Sequence, residues 1–304
     1  MLKSSLRRIY LSTDVELDCC VIGDPSNQPI IFLHGFPESH RTWRHQLLAL
    51  SENYYCIAPD QRGYRGSSKP TDVNAYTADQ LTADVFALAD ALDVENFAIA
   101  GHDWGGAIAW SVALNGQPGG LNPQWAGRVT RAMLANAPHP CMYQRAIVND
   151  PIQRASAQYV RFFRDPGSDA IIAKGGLLPL LQQVWGWQKP EAMDAYEYGE
   201  LLAGWEDRGA AVAMLNWYRA SSITVPLIGA AADVPEWAAG AFPKLNIPTL
   251  LVWAMEDKAL SPSNIEGIEE LVPNIHIERV ANCGHFVTWE KPEAVIAAME
   301  KFLA

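Results

Sequence analysis

The sequence has little positive charge for its length and no long hydrophobic run. Its 304 residues include 23 Lys and Arg against 34 Asp and Glu, which gives a formal net charge of −11. This acidic balance disfavours nucleic acid or an anionic membrane as a partner, because both carry charge of the same sign. A small neutral substrate fits such a chain better.

Apolar stretches in the sequence are no longer than a β-strand, and the basic N-terminal segment MLKSSLRRIYLSTDVELD is not followed by an apolar run. A signal peptide needs an apolar segment of about 7–15 residues, and a transmembrane helix needs about 20. The sequence therefore predicts neither a signal peptide nor membrane insertion.

Cysteine is scarce and irregularly spaced. The five cysteines are Cys19, Cys20, Cys56, Cys141 and Cys283. They are odd in number and lack the paired spacing of a zinc site. We therefore expect reduced thiols in a cytoplasmic protein that uses neither a metal nor another cofactor.

What the sequence does contain is an alternation of strand-like and helix-like segments over residues 1–137, with 49% apolar residues to fill a core. The predicted strands are Arg8–Ser12, Val15–Ile22, Ile30–Leu33, Tyr55–Ala58, Phe97–Ala100 and Val129–Ala135. The predicted helices are His40–Glu52, Ala78–Leu92 and Gly105–Asn115. This alternation predicts an α/β fold with a mostly parallel sheet and helices on both faces.

After Pro138 and Pro140 the sequence becomes helical and rich in aromatic residues and alanine. Helices are predicted at Pro151–Arg164, Asp169–Trp185, Pro190–Ala203 and Asp207–Ala220. A loop-like stretch, Ser221–Asn246, leads back to the predicted strands Thr249–Ala254 and Ile275–Val280 and the predicted helices Pro262–Leu271 and Pro292–Leu303. A helical block between two sheet-forming halves indicates an inserted lid.

We therefore divide the chain into three parts. Residues 1–137 form the first part of the core, residues 138–246 a helical lid (cap) domain with its return loop, and residues 247–304 the second part of the core. The segment 116–127, rich in glycine and proline, is long for a connection between a helix and a strand. Its role is not evident from the sequence.

Residues 99–106, Ile-Ala-Gly-His-Asp-Trp-Gly-Gly, put an aspartate where a strand must turn sharply into a helix. The glycines on either side lack the Cβ atoms that would clash in this turn, so Asp103 can be held above the sheet. The pattern resembles the nucleophile elbow of the α/β-hydrolase family. A carboxylate is poor at cleaving esters or amides, since its adduct would be an anhydride, but it can attack an sp³ carbon and leave an ester that water cleaves. Asp103 therefore indicates a substrate with an epoxide or a carbon–halogen bond.

This resemblance implies an α/β-hydrolase fold with an inserted cap and a site beyond the carboxyl ends of the parallel strands. Residues 34–39, His-Gly-Phe-Pro-Glu-Ser, follow a predicted strand and can direct the N–H of Phe36 into that site. The N–H of Trp104 points the same way from the elbow. Together these groups would form an oxyanion hole for hydrolysis of the Asp103 ester.

Two further segments after predicted strands supply an acid and a histidine, Asp257 and His285. The order nucleophile, acid, histidine is the one that the α/β-hydrolase fold uses. His285 is predicted to be the general base that activates water, and Asp257 to fix its tautomer and balance its charge. Glu256 is the main rival of Asp257 for this role.

Glu38 and His102 are secondary candidates for positioning the water. In relatives with the motif His-Gly-Phe-Pro-Glu the glutamate helps to place the hydrolytic water, so the resemblance extends this role to Glu38; the alternative is an exposed loop carboxylate. For His102, beside the nucleophile, we favour packing and hydrogen bonding beneath the site over catalysis.

The aromatic residues of the lid distinguish epoxide from halide chemistry. Opening an epoxide releases an alkoxide, which needs a proton or a strong hydrogen bond, and tyrosine is a neutral donor at pH 7. Tyr159 and Tyr218, the latter in Asn-Trp-Tyr-Arg, resemble the two lid tyrosines of α/β-hydrolase epoxide hydrolases. Each has packing as its alternative role, since Tyr143, Tyr196 and Tyr198 lie in the same block.

The preferred interpretation is an epoxide hydrolase that converts an epoxide and water to a vicinal diol. The first alternative is a haloalkane or haloacid dehalogenase with the same Asp-His-Asp set. The residue after His34-Gly35 is Phe36, whereas haloalkane dehalogenases usually place an amide or carboxylate side chain nearby to help hold halide. Haloacid dehalogenases normally have arginine after the nucleophile, where this sequence has Trp104. A ligand-binding receptor is a third alternative. The abundant aromatic residues favour a small apolar epoxide, and both a monomer and a homodimer are compatible with the sequence.

Overall fold

The structure, a computed structural model, describes residues 5–304, so the first four residues of the basic N-terminal segment lie outside the described residues. Its strands are β1 (Ser5–Tyr10), β2 (Glu16–Ile22), β3 (Gln28–Leu33), β4 (Tyr54–Pro59), β5 (Phe97–His102), β6 (Val129–Ala135), β7 (Thr249–Ala254) and β8 (Ile275–Val280). They form one sheet in the order β1-β2-β4-β3-β5-β6-β7-β8. The pairs β1–β2 and β2–β4 are antiparallel and the others are parallel. This confirms the predicted α/β fold.

The central strands are largely apolar and mostly buried because both faces of the sheet are covered. In β3, Ile31 and Leu33 join the core on one face, whereas Ile30 and Phe32 join the core on the other. Full burial of each such side chain contributes about 1.5–3 kcal/mol. A backbone hydrogen bond contributes a net value of about 0.5–1.5 kcal/mol, so apolar burial is the larger stabilising term in these strands.

Helices cover both faces of the sheet. The α-helices of residues 5–304 are α1 (Arg44–Leu50), α2 (Ala78–Ala91), α3 (Asp103–Gly116), α4 (Pro140–Asn149), α5 (Pro151–Ser156), α6 (Gln158–Arg164), α7 (Gly167–Gly175), α8 (Leu177–Trp185), α9 (Ala195–Glu206), α10 (Arg208–Ala220), α11 (Glu236–Ala239), α12 (Val287–Glu290) and α13 (Pro292–Leu303). Helices α2 and α3 contribute to the core on one face, and α1 and α13 to the core on the other. None of the helices in this part of the chain is long and apolar enough to cross a membrane.

Helices α4–α10, between β6 and β7, form what we call the helical block. Two of the predicted helices in this block are each broken into two. The break between α7 and α8 falls at Gly176, whose φ is +72° and where a Cβ atom would come within 2.5 Å of the carbonyl oxygen of Trp205. The break between α5 and α6 falls at Ala157, whose ψ is −4°. The block is therefore a bundle of short helices that bend around the end of the sheet.

Other differences from the sequence prediction lie near turns. The predicted helix over residues 262–271 is wrong: two short 3₁₀ segments stand there, separated by Gly267, whose φ is +76°. The glycine- and proline-rich segment 116–127 packs against the return loop. Gln117 anchors the two, because its side chain donates to the carbonyl of Lys244 at 2.9 Å and accepts from the N–H of Asn246 at 2.8 Å.

Candidate active site

Asp103 stands at the junction of β5 and α3 with a φ of +51°, a left-handed conformation that is uncommon for a residue other than glycine. Glycines make room for this turn. A Cβ atom on Gly101 would lie 2.5 Å from the carbonyl oxygen of Gly105, and a Cβ atom on Gly35 would collide with the Asp103 side chain. The absence of these Cβ atoms therefore lets the carboxylate stand above the sheet, close to the neighbouring β3 loop.

Two backbone N–H groups hold the Asp103 carboxylate. The N–H of Phe36, from the loop after β3, donates to Asp103 Oδ1 at 2.7 Å. The N–H of Trp104 also donates a hydrogen bond to this carboxylate. The pair of donors named from the sequence thus converges on one oxygen-binding position.

His285 connects Asp103 to Asp257. Its Nδ1 lies 2.6 Å from Asp257 Oδ2, and its Nε2 lies 3.4 Å from Asp103 Oδ2. Asp257 follows β7 and His285 follows β8, so both reach the site from the carboxyl edge of the sheet. The Asp257 side chain is wholly buried, whereas 16% of the His285 side chain is exposed.

Asn136, which the sequence analysis missed, fixes the orientation of Asp257. Its Nδ2 donates to Asp257 Oδ2 at 2.8 Å, and its Oδ1 accepts from the N–H of Ala254 at 2.8 Å. Asp257 Oδ1 accepts from the N–H groups of Ala259 and Leu260 at 2.7 and 3.0 Å. The sequence did contain a signal for Asn136: it is a polar residue directly after β6, and the other site residues also follow strands.

The charges in this group stabilise one another. Burial raises the pKa of Asp103, but the hydrogen bond and charge of His285 outweigh burial, so the pKa lies below its usual value. Burial likewise raises the pKa of Asp257, and the charge and hydrogen bond of His285 again reverse the shift. For His285, burial lowers the pKa, but the charge of Asp257 and the hydrogen bond to Asp103 raise it well above its usual value. Asp103 is therefore ionised at neutral pH.

Glu38 and His102 lie behind His285. Nε2 of His102 lies 2.9 Å from the carbonyl oxygen of His285, and its Nδ1 lies 3.1 Å from Glu38 Oε2. Glu38 Oε1 accepts from the indole N–H of Trp289 at 2.7 Å. Both candidates are buried, so Glu38 is not an exposed loop carboxylate. This chain of contacts supports the backbone that carries His285.

Tyr159 and Tyr218 project from α6 and α10 into the cavity that Asp103 also lines. Their ring centroids are 5.9 Å apart, and the Tyr218 ring meets Trp104 edge-on at 5.1 Å. Burial raises the pKa of each phenol well above its usual value, so both hydroxyl groups stay protonated at neutral pH. The cavity has a volume of about 570 Å³, within the usual range for small-molecule sites.

Arg164 joins the two helices that carry these tyrosines. It is the last residue of α6, and its guanidinium donates to the carbonyl oxygens of Tyr218, Ile223 and Ser221 at 2.8, 2.8 and 3.0 Å. These carbonyls lie at and beyond the end of α10, where helical partners are lacking. Arg164 therefore fixes α10 relative to α6.

Tyr143, from α4, also lines the cavity. Its hydroxyl group shares a hydrogen bond with Tyr159. In the sequence this residue was only one of several aromatics of the lid, and no motif marked it.

Among residues 5–304, no group of three or more His, Cys, Asp or Glu side chains is arranged to hold a metal ion. The polar atoms around Asp103 are already engaged with one another. The arrangement brings together a carboxylate, backbone N–H groups directed at it, an imidazole and phenol hydroxyl groups.

Comparison with known proteins first shows the broad family to which the chain belongs. Residues 28–292 match the family described as the alpha/beta hydrolase fold. The chain belongs to the α/β-hydrolase family.

More specific relatives share nearly the whole chain. A solved structure described among novel epoxide hydrolases of the α/β hydrolases superfamily, from metagenomes of hot environments, is 51% identical and has a TM-score of 0.92, covering 100% of this chain and 99% of that chain. A mutant epoxide hydrolase from Bacillus megaterium, solved with a naphthyloxy-propanediol product, is 28% identical with a TM-score of 0.82 and coverages of 98% and 99%. The AB hydrolase superfamily protein YfhM of Bacillus subtilis is 29% identical over 95% of this chain and 94% of its own. Within the α/β-hydrolase family, this chain therefore groups with the epoxide hydrolases.

Proposed function

We propose that this protein hydrolyses epoxides to vicinal diols through a covalent ester on Asp103. The observation that carries the proposal is that Tyr159 and Tyr218 line the same cavity as the carboxylate of Asp103. A carboxylate nucleophile suits attack on an sp³ carbon, and two neutral phenols suit the release of an alkoxide. The epoxide hydrolases among the similar structures support the same activity.

In the first step Asp103 Oδ2 attacks one ring carbon. Oδ1 is already engaged by the N–H of Phe36, which leaves Oδ2 as the attacking oxygen. A new carbon–oxygen bond forms while the ring carbon–oxygen bond breaks. The ring oxygen accepts hydrogen bonds from Tyr159 and Tyr218 and takes a proton from one of the two phenols, which is left as a phenolate until the second step restores it. The product is a hydroxyalkyl ester of Asp103.

In the second step His285 removes a proton from water, and the resulting hydroxide attacks the ester carbonyl carbon. The N–H groups of Phe36 and Trp104 stabilise the tetrahedral oxyanion. Asp257 balances the charge that develops on His285. Collapse of the tetrahedral intermediate breaks the bond to the alkyl oxygen, which takes the proton held by His285 and leaves as the diol. Asp103 keeps one oxygen atom from water, and the second water proton passes from its carboxyl group to the tyrosine that gave up a proton in the first step, which regenerates the enzyme.

Glu38 and His102 act in this scheme as positioning residues. His102 contacts the carbonyl oxygen of His285 at 2.9 Å and Glu38 at 3.1 Å. Neither side chain lines the main cavity among the described residues. Their contribution is therefore to hold His285, and with it the water, at the ester.

The proposal includes several finer points. The core comprises residues 1–137 and 247–304, and residues 138–246 form a cap that carries the tyrosines and excludes water from the ester-forming step. The substrate is a small apolar epoxide, and no cofactor takes part. We further propose a cytoplasmic monomer or homodimer that uses neither nucleic acid nor a membrane as a partner.

Dehalogenation is the less favoured alternative. Halide leaves as a stable anion and needs only N–H donors, so two buried phenols beside the nucleophile would have no role in it. A receptor is disfavoured by the close contacts of His285 with Asp103 and Asp257, which a binding protein does not require.

The test is a parallel screen of styrene-oxide-like epoxides and short haloalkanes, with diol and halide measured in the same samples. We expect diol formation without halide release. Single turnover in ¹⁸O-labelled water adds a second criterion: label enters Asp103 before it enters the diol. Label that appears directly in the first diol would mean that Asp103 is a general base and would refute the ester mechanism.

A further inference from the structure

The cavity that begins at Asp103 continues along one face of α3. The residues of α3 at a spacing of four that line it are Asp103, Ala107, Ser111 and Asn115. Residues four apart share a helix face, and a rise of about 1.5 Å per residue makes this floor about 18 Å long. Leu121, whose N–H donates to the carbonyl oxygen of Leu114 near the end of α3, lines the cavity and is 56% exposed, and Trp237 also lines it and is 37% exposed. The cavity is therefore a groove that runs from the nucleophile to the protein surface.

The lining of the groove favours an uncharged, apolar substituent of the substrate. Its two polar floor residues already have protein partners: the Ser111 hydroxyl accepts from Thr82 at 2.9 Å, and Asn115 Nδ2 donates to the carbonyl of Ser111 at 2.9 Å. Apolar side chains such as Ile108 and Ile223 supply most of the remaining wall. The charged and polar wall residues Asp79 and Ser222 are exposed to solvent. Along the apolar part of the wall a polar substituent would lose water without a matching gain in hydrogen bonds.

Behind the tyrosines, by contrast, the space is filled. Phe163 meets the Tyr218 ring at 5.0 Å and Trp185 meets the Tyr159 ring at 5.1 Å, while Phe163 and Trp185 contact each other at 5.5 Å. Neither Phe163 nor Trp185 is among the described residues that border the groove. A substituent directed away from α3 would therefore meet packed aromatic rings.

From this one-sided groove we infer a preference for terminal epoxides that carry a single long apolar substituent, which lies along α3 with its far end between Leu121 and Trp237. This inference rests on the proposed function. Because an extended alkyl chain advances about 1.25 Å per carbon–carbon bond, a chain of roughly fourteen carbons spans the floor of about 18 Å and reaches the rim. The segment 116–127 then acts in specificity, because it contributes Leu121 to that rim.

The first experiment measures kcat/KM for a series of 1,2-epoxyalkanes from about four to about sixteen carbons. Burial of one methylene corresponds to roughly fourfold in affinity. We therefore expect kcat/KM to rise by about two- to fourfold per methylene and to level off at about fourteen carbons. Internal epoxides of equal carbon number should react at least about tenfold more slowly, because one substituent then faces the aromatic rings.

Two substitutions test the path of the chain. Ser111→Phe places a ring across the middle of the groove, so we expect kcat/KM for the twelve-carbon epoxide to fall about 10- to 100-fold. The rate with the four-carbon epoxide should stay within about threefold. Ser111→Ala, which removes the hydroxyl contact with Thr82 without filling the groove, is the matched control and should keep the parent length preference.

Leu121→Glu tests the rim at an exposed position where folding is insensitive to charge. It should lower kcat/KM for the fourteen-carbon substrate several-fold without affecting the four-carbon one. The matched control is Leu48→Glu on α1, since Leu48 is likewise exposed (45%) but does not line the groove.

A length profile that is flat, or that Ser111→Phe and Leu121→Glu both leave unchanged, would overturn the inference. In that case the short epoxides still report on the proposed function, which would stand as long as they yield diol. Failure of every epoxide to yield diol would reject both. The two failures are thus distinguished by the four-carbon substrate alone.

Discussion

The two sides of the site are held in place in different ways. On the sheet side, Asp103, Asp257 and His285 each follow directly on a parallel strand, so the backbone itself brings them to one edge. On the side of the helical block, Tyr159 lies on α6 and Tyr218 on α10, and these helices are fixed by side-chain contacts, such as those of Arg164. The position of the sheet side is therefore set by the backbone of the sheet, whereas the position of the helical side depends on contacts between side chains and loop carbonyls.

The largest expected effect comes from removing the proposed general base, His285, from the sheet side of the site. His285→Gln removes the base for the second step but leaves Asp103 able to attack, so the ester should form and persist. Steady-state turnover should fall by about 10⁴-fold or more, in line with loss of a catalytic base from such a set. Mass spectrometry after incubation with substrate should find the adduct on the peptide that contains Asp103.

The matched control for this variant is His276→Gln. His276 lies on β8, the strand that precedes His285, but its side chain is 55% exposed. It should retain parent activity and carry no adduct. An unmodified His285→Gln enzyme with normal turnover would be incompatible with the ester mechanism.

Breaking the helical side should affect only the first step. Removing both phenol hydroxyls, in Tyr159→Phe with Tyr218→Phe, leaves the emerging alkoxide without a donor, and general-acid assistance is worth about 10²–10⁴-fold. Ester formation should therefore nearly cease, while each single variant is slowed substantially but remains active. Stopped-flow measurement of ester formation separates this step from hydrolysis.

Hydrolysis of an ester already formed should change little in the double variant, because His285, Phe36 and Trp104 are intact. A double variant that opens epoxides at close to the parent rate would refute the assignment of the tyrosines. Full retention of halide release in that variant would favour dehalogenation instead.

The same contrast explains what the sequence predicts well. The positions of the strands along the chain, the elbow at Asp103 and the segments that carry Asp257 and His285 follow local patterns of glycine, apolar runs and polar residues after strands. These patterns persist in the folded chain because a parallel strand delivers its next residues to a known edge. The positions of these residues in the structure agree with that logic.

Prediction was weaker where packing between distant segments decides the structure. The breaks in the helical block depend on Trp205 facing Gly176 and on the geometry around Ala157. The partnership of Tyr143 with Tyr159 joins two helices with no shared motif. Asn136 was missed for another reason: its role depends on the neighbouring strand β7 and on Asp257.

Asn136 offers a sharper test of the sheet side. Asn136→Gly keeps the left-handed backbone (φ +39°) but removes the donor to Asp257 Oδ2. A hydrogen bond to a charged group is worth about 1.5–3 kcal/mol, so ester hydrolysis should slow by about 10- to 100-fold. Single-turnover decay of the ester measures this rate.

Asn282→Gly is the matched control, since Asn282 also has a positive φ (+52°) but is exposed and makes no contact with Asp257 in the described hydrogen bonds. It should behave like the parent. Equal slowing in both variants would mean that loop flexibility, and not the bond to Asp257, sets the rate.

The pH dependence separates the two half-reactions. In the resting enzyme the charge of Asp257 and the hydrogen bond and charge of Asp103 raise the pKa of His285 despite its burial. Esterification removes the Asp103 charge, so the His285 pKa falls in the ester, and the neutral imidazole needed as base becomes available. Ester hydrolysis should rise by up to about tenfold per pH unit through that pKa and then level off.

Ester formation needs ionised Asp103, whose pKa lies below its usual value, so its rate should stay high down to moderately acidic pH. Ionised Asp103 also adds to the free energy of unfolding. This contribution is present above the unfolded pKa of Asp103 and is lost as pH falls through the lowered folded pKa. Rapid-quench measurement of both steps over pH checks this. A hydrolytic rate that falls as pH rises would contradict His285 as the base.

The smallest expected effect concerns Tyr143, whose hydroxyl shares a hydrogen bond with Tyr159. If it acts by aiming the Tyr159 hydroxyl, Tyr143→Phe should slow ester formation by about two- to tenfold, the range of one neutral hydrogen bond, with hydrolysis unchanged. Tyr196→Phe, at a tyrosine of the helical block that is 61% exposed, serves as the control.

A double-mutant cycle decides between positioning and direct contact with substrate. Positioning through Tyr159 predicts that Tyr143→Phe has no further effect once Tyr159 is phenylalanine, because the group being aimed is gone. Additive losses in the double variant would instead mean that the Tyr143 hydroxyl contacts the substrate itself. That outcome would give the helical side a third phenol at the leaving oxygen and would make its contribution to the chemistry as direct as that of the sheet side.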